Sequence, residues 1–553
     1  EDADKKEWVV ATYTVENPRS QARRATLYLA LRPFNPEGAS LVHKIEYQVA
    51  RSENADRQPS GVFFVNDALA AVLPEPERVA FSNHRAGDVA LQIRSDSASH
   101  PDDSGNRIEC QVGLATAFAQ YSLDLPPNTS HTIVALMPMA RAERETDLVT
   151  VPATLKSETV RQMREQTIAS WKEKLAQGMR VALPDERMND AFEASKAYLL
   201  LLHDGDSITP GPFLYHHFWV RDAAVMLNAL DRLGYSEEVG QVLKRFPRMI
   251  RKDGFFNSQD GEWDANGQAL WALVEHARLS GDWETAREQY WGMLNLAHWI
   301  DTARFKTKSA RDKDPRSAHS GLLPAGFSAE HFGPSDFYYW DNFWCAAGLR
   351  EAARAADYFG QAEDAKRLRA QYDDYIADIK ASLAQVAARL NSPLIPASPY
   401  RNADSAMIGS LAALYPTNLF EANDPRLAAT VQALEQHAQF EEAFFHSVGH
   451  TALGSYLSLH LSQYWLAQRD PRAWKIIEWV SRHATSVSTW AEGIHPITRR
   501  GGMGDSPHGW AAAEWVQAIR NGLLFEEGNT LILTPALPRE WTAETTIIRV
   551  ENA

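Results

Sequence analysis

A chain of 553 residues, 44% of them hydrophobic, is long enough for a large core and more than one domain. A formal net charge of -15 argues against a nucleic-acid or anionic-membrane surface and fits an uncharged substrate better than a polyanion. No uncharged apolar run reaches the roughly 18 residues that a membrane-crossing helix needs. From the N-terminus, Trp8–Val15, Ala25–Leu31, Gly61–Val65 and His131–Leu136 are short, β-branched or aromatic runs, separated by Pro, Asn, Asp and Gly clusters. That spacing predicts an all-β domain of sandwich type over residues 1-153. Ser157 to Gln177 is polar and charge-rich at helical spacing, which predicts a linker helix within 154-184. Residues 185-527 carry helix after helix, and 528-553 return to strand-like runs at Thr530 and Thr546. The last of these runs has no obvious partner, so it is expected either to return to the N-terminal sandwich or to lead into further chain. The chain begins at Glu1 rather than Met, from which a removed leader or a preceding segment is expected, together with an extracytoplasmic location ahead of a cytoplasmic one. Cys110 and Cys345 fall in different expected domains and offer neither a disulfide framework nor metal-ligand spacing.

The helical region has a rhythm. Apolar residues at helical spacing, with Gly, Pro and Asp stops, predict twelve helices. The odd ones lie near 187-203, 236-250, 282-304, 361-389, 425-439 and 471-485, and the even ones begin near Trp219, Asp264, Trp340, Asp404, Thr451 and His508. Connections leaving even helices are short and plain. Those leaving odd helices carry the aromatic and ionisable residues: His216–Asp222, Gly261–Asp264, Tyr339–Asn342, Tyr400–Asp404, His446–His450 and Trp490–Gly493. In antiparallel hairpins alternate connections lie at opposite ends, so six pairs closing into a ring gather these residues around one mouth. Seventeen Trp and seventeen Tyr supply flat faces of the kind that bind sugars, although most of them belong to core.

Asp341 is the first candidate for chemistry. It stands among Phe337, Tyr338, Tyr339, Trp340, Phe343 and Trp344, where partial desolvation would keep a carboxyl protonated near neutrality, as a general acid requires. A capping Asp in an aromatic core is the plain structural alternative. Glu492, in Trp490-Ala491-Glu492-Gly493, is the candidate general base on water, with Asp505 as its rival and Glu514 as a structural residue deeper in the last helix. Trp219, Arg221 and Asp222 combine an indole, a guanidinium and a carboxylate, a possible clamp for sugar hydroxyls or else a helix-start ion pair. Glu262, Trp263 and Asp264 repeat that logic, with Asp264 equally suited to capping. Trp340, Trp490, His508, Tyr400, Arg401 and His450 complete the expected substrate-binding set. The rim histidines show no close-spaced zinc-ligand pattern, and neither a Gly-x-Ser-x-Gly elbow nor a phosphate-binding glycine loop occurs. No metal and no cofactor are therefore expected.

The Trp-x-Arg-Asp of 219-222, the Trp340-Asp341-Asn342 run and the carboxylate loop 490-493 resemble the six-hairpin glycosidases, the glucoamylase, trehalase and processing-glucosidase-like enzymes. The preceding β-sandwich and linker helix are similar in layout to those of bacterial glucoamylases of the glycoside hydrolase 15 type. The resemblance implies an (α/α)6 barrel, an acid at Asp341, a base at Glu492, a terminal sugar held by Arg221 and Asp222, and inverting hydrolysis. It departs where glucoamylases carry Trp-Glu-Glu in place of Trp340-Asp341-Asn342, and where the usual Gln after the base is missing. The expectation is thus an exo-acting, inverting glycoside hydrolase on an oligo- or polysaccharide, with an α-glucoside-like substrate favoured. Beside it stand a toroid polysaccharide lyase using His450, Tyr400 and Arg401 on a uronic acid, a non-catalytic sugar-binding scaffold, and a phosphorylase.

Overall fold

The computed structural model describes residues 8-35, 38-39, 41-50, 59-94, 105-139, 157-314, 316-328, 334-448, 450-543 and 546-552. The chain divides into two compact units, Glu1–Lys172 and Glu173–Ala553, the division falling inside the helix α1, Ser157–Gln177. That helix covers the run read as helical in the sequence, whereas the expected boundary at residue 153 lies outside the described residues.

The strands of the first unit pair antiparallel, with one isolated parallel bridge between Val42 and Leu114 among the described residues. We number its strands β1 (Trp8–Asn17), β2 (Arg23–Leu31), β3 (Lys44–Ala50), β4 (Ser60–Val65), β5 (Ala68–Pro74), β6 (Arg78–Ser82), β7 (Arg107–Glu109), β8 (Thr116–Leu125) and β9 (Thr129–Pro138). One sheet runs β1-β9-β5-β4-β3-β7 and a second runs β2-β8-β6. Alternate residues of both sheets, among them Ile45, Phe63 and Leu73 from one and Ala117, Ala119 and Tyr121 from the other, fill a shared apolar core.

In the second unit the longer helices are α2 (Glu186–Leu201), α3 (Val220–Leu233), α4 (Ser236–Leu243), α5 (Ala265–Ser280), α6 (Tyr290–Lys308), α7 (Tyr339–Tyr358), α8 (Ala362–Leu390), α9 (Pro425–His437), α10 (Ser455–Ala467), α11 (Arg472–Arg482) and α12 (Gly509–Leu523), with a 3-10 segment at Ser405–Ala413. They sort into two kinds by burial. α3, α5, α7, α10 and α12 are buried on nearly every face, whereas α8 and α11 bury one stripe at helical spacing, such as Leu368, Tyr375, Ile379, Leu383 and Val386. The buried kind pack in cyclic order: α3 on α5, α5 on α7, α7 on the 3-10 segment, that segment on α10, α10 on α12, and α12 back on α3. Outside them α6 packs on α5 and α7, α8 on α7, α9 on the 3-10 segment, and α11 on α10 and α12. The α5–α7 crossing is tight: a Cβ on Gly267 would run into the backbone of Trp344 and Cys345, and one on Gly348 into Gly267 itself. Gly234 and Gly281 end α3 and α5 in the left-handed conformation that a side chain would strain.

Several expectations change here. The helix expected from Asp404 is 3-10: Asp404 caps it by accepting from Ala406, but Gly409 and two serines weaken it and Pro416 closes it. The helix expected from Thr451 begins four residues later at Ser455, because Ala452–Gly454 pairs as a strand with Phe445–His446 on one side and Gly493–Ile494 on the other. These belong to a five-stranded sheet of very short strands, completed by Gln439–Phe440 and Gly501–Met503, inside what reads as loop sequence. The helix expected over 236-250 stops at Leu243, and Pro247 sits in a separate turn, Phe246–Met249. The final strand, Arg549–Glu551, finds its partner in Arg180–Ala182, directly after α1, rather than in the N-terminal sheets.

Candidate active site

The junctions ahead of the buried helices meet in two linked clusters. The first centres on Glu492, placed by the short strand Gly493–Ile494 that follows it. Its Oε2 accepts the Tyr215 hydroxyl at 2.7 Å, and its Oε1 lies 3.7 Å from His450 Nε2. Tyr456, one residue into α10, also hydrogen-bonds this carboxyl. Burial pushes the Glu492 carboxyl above the usual range, the two tyrosine hydroxyls pull it back, and the charge of Asp505 adds to the rise. The Tyr215 hydroxyl is raised by burial and then by the charges of Glu492, Asp222 and Asp505, carboxylates of two separate junctions. His508, the N-cap of α12, has Nε2 4.0 Å from Asp222 Oδ1 and its ring stacked on Tyr456 at 5.5 Å. Burial lowers His508 to about 4 and His450 to about 3, so both imidazoles are neutral at physiological pH. Trp219, half-buried at the start of α3, stands edge-on to Tyr215 at 5.4 Å and against His217 at 3.5 Å.

The second cluster centres on Asp264. One oxygen, Oδ2, accepts from Arg221 Nε at 2.8 Å, from Trp340 Nε1 at 2.7 Å and from Gln268 Nε2 at 2.9 Å, which ties α3, α5 and α7 together. Arg221 Nη2 reaches Glu262 Oε2 at 2.7 Å. Burial raises the Glu262 carboxyl, against the pull of Arg221. Asp341, in the first turn of α7, is buried, and its charge is the largest influence after burial in raising the thiol of Cys345 one turn further on. Rings connect the two clusters: Trp340 lies 6.1 Å from Trp510, which stacks on Tyr456 at 4.4 Å.

Several candidates take a different place from the one expected. Arg221, expected with Asp222 to clamp a sugar, also pairs with Glu262 and Asp264. Asp264 occupies the N-cap position of α5 without capping it, its side chain being turned to Arg221 and Trp340. Trp340 and Trp490 are each 1% exposed; Trp340 donates to Asp264, and Trp490 donates to Val480 O and packs on Trp515. Asp505 accepts three backbone N–H groups of residues 213-215. Glu514 is held by Trp510, His460 and Tyr415, as its depth in the last helix implied. Trp263 is half-buried, bonded to Ala325 O and packed on Phe255 and Trp299. Tyr400 is exposed beside His319 and Phe337, and Arg401 is bound to Asp404. Tyr215 and Tyr456 were missed: the aromatic run was read from His216, one residue too late, and Tyr456 is hidden in an apolar helix.

No protein-family model and no curated protein matches the chain. Among solved structures it is similar to the glucoamylase of Saccharomycopsis fibuligera, at 11% identity and TM-score 0.48 over 62% of this chain and 96% of that one. A rhamnosidase from Klebsiella oxytoca with rhamnose bound aligns at 11% identity and TM-score 0.46 over 92% of this chain and 100% of that one. A wild-type glycosidase aligns at 15% identity and TM-score 0.46 over 60% and 96%.

Proposed function

We propose that this protein is an inverting, exo-acting glycoside hydrolase built on an (α/α)6 barrel, releasing a terminal sugar from an oligo- or polysaccharide, with α-glucosides favoured. The observation that carries the reading is Glu492: a carboxylate buried among aromatic rings, steadied by two tyrosine hydroxyls, and gathered with Asp222 from another junction. The cyclic packing of α3, α5, α7, the 3-10 segment, α10 and α12 supports the barrel. In this reading Asp341 protonates the leaving oxygen and Glu492 takes a proton from water attacking the opposite face, the carboxyl groups standing about 6.5 to 9.5 Å apart. Asp222, Trp219, Glu262 and Trp263 hold the sugar, and Arg221 serves by fixing Glu262 and Asp264. The negative charge that Glu492, Asp222 and Asp505 bring to bear on Tyr215 favours a neutral sugar that gains positive charge in the transition state.

The same charge speaks against the lyase and phosphorylase alternatives. A lyase must neutralise a uronate, yet Arg221 and Arg401 are already bound to carboxylates. Phosphate would meet the same repulsion. The test is incubation with a panel of α- and β-linked oligosaccharides, with and without phosphate, followed by identification of the released sugar. Release of a free monosaccharide without phosphate supports hydrolysis. An ultraviolet-absorbing unsaturated product, a phosphate requirement, or binding without turnover would replace it with the lyase, the phosphorylase or the scaffold.

A further inference from the structure

Asp505 is buried, and its two oxygens accept three successive backbone N–H groups, those of Phe213 and Tyr215 on Oδ2 and that of Leu214 on Oδ1, each at 3.0 Å. The surroundings are cut to this contact. A Cβ on Gly211 would overlap the Asp505 carboxylate, and Gly504, at φ +70, lies where a Cβ would strike the side chain of Glu492. Charge-assisted bonds to three consecutive amides fix a turn far more firmly than neutral ones. The last amide belongs to Tyr215, the residue whose hydroxyl donates to Glu492 Oε2. Two adjacent positions, Gly504 and Asp505, thus touch the carboxylate and the turn that steadies it.

We propose that Asp505 is a positioning residue for the reaction: it locks the 213-215 turn and thereby sets the Tyr215 hydroxyl on Glu492, holding that carboxylate in line with its water. This rests on the glycosidase reading with Glu492 as base. Asp505 has its oxygens committed to amides, so it supports the base and does not replace it. Misplacing a catalytic group by an ångström costs up to about 100-fold in rate.

The test uses the full chain with Asp505→Asn, Tyr215→Phe and the double variant, on whichever oligosaccharide the wild type cleaves. Each single change is expected to lower kcat by about 10- to 100-fold with KM within about 3-fold, and the double variant to be little worse than either single one, since both remove the same alignment. Losses that multiply, or that fall on KM, overturn the proposal. Hydrogen exchange measured by mass spectrometry provides a readout free of activity. Asp505→Asn should speed exchange across 211-216, and unchanged exchange there overturns the clamp. If Asp505→Asn does not fold, Gly211→Ala displaces the carboxylate from the other side and is read in the same way. A wild type that cleaves no glycoside defeats the glycosidase reading and with it the catalytic part of this proposal, while the exchange result still decides the clamp.

Discussion

Tyr215 and Glu492 are 277 positions apart in the chain and 2.7 Å apart in space, the phenol donating to the carboxylate. The contact joins the junction ahead of the first buried helix to the junction ahead of the last. It also sets a pH dependence. The bond favours the charged carboxylate and holds its pKa down against burial, and a general base must be ionised to act. In Tyr215→Phe the Glu492 carboxyl therefore rises, and the acid limb of the pH profile of kcat/KM moves to higher pH. A limb that stays in place, or moves down, removes Glu492 as the group that sets it.

Glu492→Gln keeps the shape of the base and loses its proton affinity. Turnover is expected to fall by at least about 100-fold, and the first sugar released by wild type should have the anomeric configuration opposite to that of the bond cleaved, read by proton NMR of early product. Retained configuration would mean a covalent intermediate and closer carboxylates than the inverting reading allows.

For the acid, Asp341→Asn is expected to cost about 100-fold or more on a natural glycoside and much less on an activated aryl glycoside, whose leaving group needs no proton. Glu262 supplies the control, because it stands nearer the surface than Asp341 and its carboxyl is raised by burial. If Glu262→Gln shows that leaving-group pattern and Asp341→Asn does not, the proton donor is Glu262.

Arg221 and Asp222, neighbours in sequence, should fail in different ways. Arg221→Ala strands Asp264 and Glu262 in a buried setting and is expected to destabilise the fold by about 3 to 5 kcal/mol. Asp222→Ala should leave the melting temperature within a few degrees while turnover drops, since the proposed function puts it at the sugar. Thermal melts beside kinetics separate the two, and equal destabilisation by both would return Asp222 to a helix-start role.

His450 titrates near 3 in the fold, against about 6.5 for a free imidazole. A depressed histidine pKa means that the unfolded chain takes up the proton first, so this residue's contribution to stability is complete above about pH 6.5 and is lost as pH falls towards 3. His450→Gln should therefore lose less stability than wild type between pH 6.5 and 4.5, by about 1 kcal/mol per pH unit, measured by denaturant titration. Parallel curves would show that His450 takes up its proton as readily in the native state as in the unfolded chain.

The helices were legible because their signals are local. Apolar residues recur on every turn of α3 and α7, and Gly234 and Gly281 mark the ends of α3 and α5. The junctions were legible as places, since aromatic and ionisable residues collect there, but their pairings were not. Nothing near Arg221 in sequence says that Glu262 and Asp264, more than 40 residues on, are among its partners. Burial of Trp340 and Trp490 was equally invisible, because an indole that packs and one that stacks on a sugar are the same residue in a string. The short strands around 439-503 escaped because two to four residues are too few to show a period.

The pairing of Arg549–Glu551 with Arg180–Ala182 brings together the two ends of the helical unit. A layer of helices that runs out and returns to its own starting point has no privileged first member, since each hairpin is held by the hairpins on either side. The order in which the helices are threaded is then a matter of synthesis more than of architecture. A version of this unit opened at a plain turn such as Gly234, with its present ends joined, would present the same set of neighbours to every residue around the mouth.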